Sequence, residues 1–93
     1  MKTALVTGGS RGIGKAIAQK LAETSNVAVG YSNSKEQAVE VVNSIQASGG
    51  KAIAVQIDVT DNQSVEKCFE LVEKELSSVE ILVNNAGITK DNI

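Results

Sequence analysis

Residues 7–14 read TGGSRGIG and come directly after the apolar run Ala4-Leu5-Val6. Apolar residues then recur every four positions, at Ile13, Ile17 and Leu21, which predicts an amphipathic helix. Glycines between a strand and a helix permit a sharp turn, close approach of a ligand to the backbone, and tight packing of the helix. Free N–H groups and the dipole at the start of such a helix favour a phosphate group. The segment, called the glycine loop below, therefore predicts a strand-turn-helix unit that binds a phosphate.

The rest of the chain repeats this order of strand and helix. Further apolar runs, at residues 27–29, 52–55 and 81–83, consist of consecutive apolar residues, as is typical of strands buried on both faces of a parallel sheet. Their alternation with helices predicts an α/β fold with right-handed crossovers. Two more helical stripes lie between the runs, at Ala38, Val42 and Ile45, and at Val65, Cys68, Phe69, Val72 and Leu76.

The ends of the helices also carry signals. Ser34 and Asp61 stand where the second and third helices should begin, and both residue types are good N-caps. Gly49-Gly50 follows the second stripe and predicts the end of that helix. Cys68 lies within an apolar stripe, so we expect a small core residue rather than a nucleophile.

The composition of this 93-residue chain is that of one soluble globular domain, with 42% hydrophobic and 22% charged residues. A net charge of −2 gives no basic patch for nucleic acid and no polybasic stretch for a membrane. One cysteine and no histidine argue against a disulfide framework or a metal site and favour a reducing compartment. Every apolar run is too short for a signal-peptide core or a membrane span. We therefore expect a cytoplasmic location, or an organellar stroma or matrix in a eukaryote.

Two other interpretations of the glycine loop stay open. It could be a turn that binds no ligand. It could also be a P-loop, since Gly9, Gly14 and Lys15 fit the pattern G-x-x-x-x-G-K. The next residue is Ala16, however, where a magnesium-dependent nucleoside triphosphatase needs a serine or threonine hydroxyl. Dinucleotide binding is therefore favoured over nucleotide hydrolysis.

Motifs at three strand ends resemble those of the short-chain dehydrogenase/reductase family. The glycine loop supplies T-G-x-x-x-G-I-G, residues 84–87 read NNAG, and Asp58-Val59 follow the third strand. The stretch NNAGITKDN at residues 84–92 is most similar to 3-oxoacyl-acyl-carrier-protein reductases of fatty-acid synthesis. The resemblance covers the whole chain, but only the first part of the family's fold.

This resemblance implies a set of residues around an NAD(P) cofactor. The carboxylate of Asp58 would accept from the adenine amino group, and the backbone of Val59 would support the ring. Asp58 could instead have only a turn or N-cap role. The pyrophosphate would lie against Gly8, Ser10, Gly12, Ile13 and Gly14, and the nicotinamide-side ribose against Asn85, Ala86 and Gly87. Asn84 and Asn85 could also simply tie the strand end to its neighbours.

NADPH is expected in preference to NAD. An acidic residue at the end of the second strand would accept from the ribose 2′-hydroxyl and repel a 2′-phosphate. That strand instead ends in GYSN at residues 30–33, with Ser32 at the ribose position and no carboxylate. Arg11 stands in the glycine loop, where NADPH-preferring members of the family often carry a base that can bind the phosphate. The alternative is that Arg11 is only a solvated loop charge.

No catalytic residue is predicted within the chain. The family's serine, on a fifth strand, and its Tyr-x-x-x-Lys pair, on the next helix, would come after Ile93. Tyr31 and Lys35 have that spacing but straddle a strand-to-helix turn, where they do not share a helix face. The resemblance implies a parent enzyme that reduces 3-oxoacyl thioesters carried by acyl-carrier protein, usually as a homotetramer. The 93-residue chain alone is expected to be inactive.

The expected fold is a three-layer, doubly wound Rossmann-type α/β sheet, of which residues 1–93 form the first half as one NAD(P)-binding domain truncated after the fourth strand. Its strand order should be 3-2-1-4, with the first two helices on one face and the third on the other. The fourth strand would then have a bare outer edge and a partly bare face. We expect marginal stability or oligomerisation of the isolated chain. A sharp, reversible and concentration-independent thermal transition would contradict this expectation.

Overall fold

Strands and helices alternate along residues 1–85, the part of the chain that the computed structural model describes. Each predicted apolar run forms a strand, and each predicted stripe forms a helix. The elements are β1 (Thr3–Thr7), α1 (Gly12–Leu21), β2 (Asn26–Tyr31), α2 (Lys35–Ala47), β3 (Ala52–Gln56), α3 (Asn62–Glu75) and β4 (Val79–Asn84).

The strands form one parallel sheet in the order β3-β2-β1-β4, as predicted. In the central row of the sheet, Leu5 is in register with Ala28 on one side and Leu82 on the other. Because all strands run in the same direction, their carboxyl ends meet at one edge. The glycine loop and the segments that follow β2, β3 and β4 therefore lie together at that edge.

The core has two parts, one on each face of the sheet. The part between the sheet and α1 and α2 contains Val6, Val29 and Ile45, and the part under α3 contains Leu5 and Val72. Leu5 and Val6 are fully buried, although they point to opposite faces. The predicted distribution of helices, two on one face and one on the other, is confirmed.

Ile13 is an exception to the predicted stripe of α1, because it is 74% exposed. The helix buries Gly14 and Ala18, and Ile17 and Leu21 are partly buried against the core. Gly14 has the inward position in the first turn, where its neighbours are Gly8 and Asn85 rather than sheet side chains. Ile13 therefore does not belong to the buried stripe of α1, and its side chain lies in solvent beside the glycine loop.

The two predicted N-caps behave differently. The Asp61 carboxylate accepts from Gln63 N at 2.9 Å and Ser64 N at 3.4 Å, so this cap is confirmed. Ser34 precedes α2 directly, but its hydroxyl makes no capping hydrogen bond. Its backbone has φ −98° and ψ 56°, whereas Asp61 has the extended backbone, φ −117° and ψ 111°, from which a side chain reaches back over the first turn.

Replacing Asp61 with alanine should therefore lower the free energy of unfolding by about 1 kcal/mol, because two N–H groups of α3 lose their acceptor. Thermal unfolding followed by circular dichroism should show a midpoint about 4–8 °C lower. Ser34→Ala is the matched control and should change the midpoint little. Equal shifts of the unfolding midpoint in the two variants would show that the Asp61 hydrogen bonds contribute nothing to stability.

Cys68 lies in the core under α3 and is 2% exposed, as its place in the stripe predicted. Burial raises the pKa of its thiol to about 11, so the reactive thiolate is scarce at neutral pH. We expect Ellman's reagent to react with Cys68 only as fast as the chain opens, whereas denaturant should expose the thiol at once. Rapid, complete labelling of the folded chain would contradict this packing.

β4 is less well covered than the other strands, although its apolar run resembles theirs. Its residues alternate between half-buried and exposed, and Leu82 is 55% exposed although its register partner Leu5 is fully buried. The reason is that α3 covers Leu5 without covering the neighbouring position on β4. Within residues 1–85, β4 pairs only with β1, which fits the expected bare edge and partly bare face.

Candidate dinucleotide site

The predicted site residues come together at the carboxyl edge of the sheet. The glycine loop follows β1, Ser32 follows β2, Asp58 and Val59 follow β3, and Asn85 follows β4. Since β1 lies between β2 and β4, the glycine loop occupies the centre of this edge. In open α/β sheets, ligands bind in the crevice where the order of strands reverses, and that crevice lies beside β1.

Hydrogen bonds and backbone geometry fix the path of the glycine loop. Gly8 and Gly12 have φ values of 66° and 60°, a left-handed conformation that other residues rarely adopt. Gly9 N donates to Gly30 O at 3.0 Å, which ties the loop to β2. Ser10 is 8% exposed within the loop. The backbone therefore turns sharply from β1 into α1, as the sequence predicted.

The start of α1 presents free backbone donors. Its first hydrogen bond runs from Lys15 N to Arg11 O, so helical geometry leaves the N–H groups of Gly12, Ile13 and Gly14 without a carbonyl partner. Arg11 is the N-cap residue, and its guanidinium can only donate. The first turn contains no acidic residue, and nothing lies within 4 Å of where a Gly12 side chain would begin. The three N–H groups can therefore bind an anion.

Gly14 lies in contact with the loop and with the end of β4. A Cβ atom at Gly14 would be 2.1 Å from Gly8 O and 2.6 Å from Asn85 Nδ2, so no larger residue fits without movement. Asn85 Nδ2 also donates to Gly8 O at 3.1 Å, and Thr7 Oγ1 donates to Asn84 Oδ1 at 3.2 Å. Both asparagines therefore tie β4 to β1 and to the glycine loop. A contact of Asn85 with a ribose stays a prediction.

Asp58 has the turn role that was its alternative interpretation. Its Oδ1 accepts from Thr60 N at 3.0 Å and from Thr60 Oγ1 at 2.6 Å, and these bonds hold the pKa of the exposed carboxyl below its usual value. No hydrogen bond within residues 1–85 uses its second oxygen, Oδ2. The carboxylate can therefore support the turn and still accept from an adenine amino group. Val59, beside it, is 40% exposed.

The segment after β2 carries no charge at the expected ribose position. Ser32 is exposed, and its carbonyl accepts from Gln56 Nε2 at 3.3 Å. Ser32, Gln56, Asp58 and Asp61 line one open cleft. The sequence offered no signal for Gln56, because a single exposed glutamine at a strand end belongs to no periodic pattern or motif.

The remaining predicted positions are placed as follows. Tyr31 ends β2 and Lys35 begins α2, so the pair straddles a turn as predicted and does not share a helix face. Ala86 and Gly87 lie outside the described residues. The described part of the chain has no group of three or more histidine, cysteine or acidic residues that could hold a metal. No helix in residues 1–85 has the length and apolar character to cross a membrane.

Comparison with known sequences agrees with the resemblance. The short chain dehydrogenase family model matches residues 2–93. The 3-oxoacyl-[acyl-carrier-protein] reductase FabG of Staphylococcus epidermidis is 50% identical over 93 residues, which are 99% of this chain and 38% of that protein. The short-chain dehydrogenase/reductase homolog YusS of Bacillus subtilis is 48% identical over 90 residues, 96% of this chain and 83% of YusS. The chain thus spans less than half the length of the reductase and most of YusS.

Solved structures have the same fold. A dehydrogenase/reductase from Sinorhizobium meliloti superposes with a TM-score of 0.85 and 39% identity, over 98% of this chain and 40% of that one. The landomycin C-6 ketoreductase LanV, solved with bound NADP and rabelomycin, has a TM-score of 0.79 and 36% identity, over 98% of this chain and 44% of LanV. The chain belongs to the short chain dehydrogenase family and has the fold of the first part of its oxidoreductases.

Proposed function

We propose that this chain is the cofactor-binding half of an NADPH-dependent reductase of 3-oxoacyl thioesters. The observation that carries the proposal is the start of α1, where helical geometry leaves three backbone N–H groups without a carbonyl partner and the N-cap side chain cannot accept a hydrogen bond. Oriented N–H groups at a helix start bind phosphate oxygens well, because the helix dipole adds to their hydrogen bonds. The dinucleotide diphosphate would lie against Gly8, Ser10, Gly12, Ile13 and Gly14.

The other groups at the sheet edge would orient the rest of the cofactor. Oδ2 of Asp58 would accept from the adenine amino group. Asn85 would hold Gly8 O in place and lie beside the nicotinamide-side ribose, with Ala86 and Gly87. When bound, the cofactor supplies a hydride for the reduction of a carbonyl group. Residues 1–93 would bind and orient it.

The choice of NADPH rests on two residues. Ser32 stands where an NAD-specific site would have a carboxylate, and the Arg11 guanidinium can form charge-assisted hydrogen bonds to a 2′-phosphate. The NADP bound to LanV, at 36% identity, supports the same choice. The similarity to FabG supports a 3-oxoacyl group on acyl-carrier protein as the substrate of the whole enzyme. A homo-oligomer and a cytoplasmic location complete the proposal.

A titration tests the proposal. NADPH added to residues 1–93 should change the fluorescence of its nicotinamide ring on binding, and its absorbance should not decay when a 3-oxoacyl thioester is added, because the chain contains no predicted catalytic residue. Magnesium should leave the affinity unchanged. Failure to bind NADPH, NADP and NAD would overturn the proposal.

A second candidate is a dinucleotide-binding unit without catalysis. It is favoured by YusS, a relative of which this chain covers 83%, since a protein of about this extent exists among the relatives. The protein purified from its own cells should distinguish the two. Oxidation of NADPH with a 3-oxoacyl thioester would support the reductase, and binding of NADPH without turnover would support the second candidate.

A further inference from the structure

Gln56 connects two strand ends at the adenosine side of the cleft. It is the last residue of β3 and is in register with Tyr31, the last residue of β2. One residue further on, Ile57 N donates to Tyr31 O at 2.8 Å, so the two backbones stay paired up to the cleft. The Gln56 side chain then crosses to the segment after β2, where Nε2 donates to Ser32 O at 3.3 Å.

This hydrogen bond acts on the residue that distinguishes the two cofactors in the proposed function. Ser32 stands at the ribose position, where the presence or absence of negative charge decides between a 2′-hydroxyl and a 2′-phosphate. Ser32 is exposed, so the path of its backbone sets where its hydroxyl lies. Because Gln56 holds the carbonyl of Ser32, it fixes the direction in which the segment leaves β2.

The charges that line the cleft give the neutral side-chain amide of Gln56 a second role. Two carboxylates, Asp58 and Asp61, already line the side of the cleft that follows β3. The side that follows β2 has only the neutral groups of Ser32 and Asn33. A glutamate at position 56 could not donate to Ser32 O and would add a third negative charge to the cleft. Coulomb repulsion would then act mainly on a ligand that carries a 2′-phosphate.

We propose that Gln56 is a positioning residue for cofactor specificity: it holds Ser32 through its side-chain amide and keeps the adenosine ribose side of the cleft able to accept a 2′-phosphate. The inference rests on the proposed NADPH site. Arg11 and Ser32 were predicted from the sequence to contact the cofactor, and the inference adds Gln56, on β3, to these two residues.

Adenosine 2′,5′-bisphosphate and 5′-AMP test this inference, because they differ only in the 2′-phosphate. Their Kd values should be measured by calorimetry for the protein and for Gln56→Glu and Gln56→Met. Gln56→Met, which loses only the hydrogen bond, should weaken bisphosphate binding about threefold. Gln56→Glu should weaken it about tenfold or more, since charge repulsion is added. Neither variant should change the Kd of 5′-AMP by more than about twofold.

Gln46→Glu is the matched control. Gln46 Nε2 also donates to a backbone carbonyl, that of Ala52 at 3.4 Å, but at the amino end of β3, away from the cleft. This variant makes the same chemical change and should leave both Kd values unchanged. If the substitutions at Gln56 only disturbed the structure, both ligands would bind more weakly, or Gln46→Glu would show the same loss of binding.

The outcomes separate the inference from the proposed function. If the unaltered protein binds the bisphosphate no more tightly than 5′-AMP, the NADPH proposal fails, and the inference fails with it. If the protein prefers the bisphosphate and Gln56→Glu keeps that preference, the proposed function stands and the inference is overturned. Loss of the preference in Gln56→Glu alone, with 5′-AMP binding retained, is the expected result.

Discussion

Gly14→Ala is expected to weaken dinucleotide binding strongly and to destabilise the chain. The new Cβ would lie 2.1 Å from Gly8 O and 2.6 Å from Asn85 Nδ2, and the nearer of these atoms is backbone. Overpacking of this kind costs about 3 kcal/mol, while the better helix propensity of alanine returns about 1 kcal/mol. The free energy of unfolding should therefore fall by about 2 kcal/mol.

The effect on binding should be larger than the effect on stability suggests. To relieve the clash, Gly8 must move away from α1, so the loop and the helix start no longer face one phosphate together. Each hydrogen bond to a charged phosphate oxygen that is lost should weaken NADPH binding by about tenfold or more. Fluorescence titration with NADPH measures the Kd, and urea unfolding measures the stability.

Gly49→Ala is the control for loss of stability alone. Gly49 has a φ of 91° and lies after α2, at the end of the sheet away from the cleft. Alanine in this left-handed conformation should cost about 1–2 kcal/mol. NADPH affinity should stay unchanged in this variant. A Gly14→Ala variant that binds NADPH within about twofold of the unaltered protein would mean that this contact does not shape the site.

Arg11→Glu is expected to reverse the preference for NADPH. The guanidinium donates to the 2′-phosphate in the proposed site, and a carboxylate in its place would repel that phosphate. NADPH should bind at least about tenfold more weakly, because a hydrogen bond to a charged group is lost and a repulsion is added. NADH has no 2′-phosphate, so its Kd should rise less than that of NADPH, through repulsion of the diphosphate alone.

Lys15→Glu is the matched control, since Lys15 is an exposed base on the next turn and undergoes the same charge reversal. Lys15→Glu should weaken NADPH binding less than Arg11→Glu does. A P-loop would give the opposite order, because there the lysine contacts the nucleotide phosphates. Equal losses for NADPH and NADH in Arg11→Glu would show that Arg11 does not recognise the 2′-phosphate.

The sequence predicted the sheet well because β1 and β2 are buried on both faces, and β3 has buried residues on each face. Their consecutive apolar residues therefore match their surroundings. β4 has the same kind of residues, but the exposure of Leu82 depends on which element packs beside it, and no letter of the strand contains that information. Ile13 likewise fits the four-residue repeat of α1, but its burial depends on what packs beside the first turn. Only the position of Gly14 against Gly8 shows that the Ile13 side chain points away from the core.

The candidate site was predicted less completely than the fold. Glycine spacing locates the phosphate-binding turn, because backbone conformation and close packing restrict which residue can stand there. The hydrogen bonds of Asn85 to Gly8 and of Gln56 to Ser32 join residues that are far apart in the chain, so local patterns cannot reveal them. Asp61 and Ser34 show a related limit, since both are good N-cap types and only backbone angles decide which side chain caps its helix.

Amide chemical shifts of residues 1–93 during titration with NADP and NADPH give the most direct test of phosphate binding at the start of α1. The amide signals of Gly8, Gly12, Ile13 and Gly14 should move most, and they should respond little to ATP with magnesium. If NADP, NADPH and NAD leave these signals unmoved while ATP with magnesium shifts them, the account is contradicted.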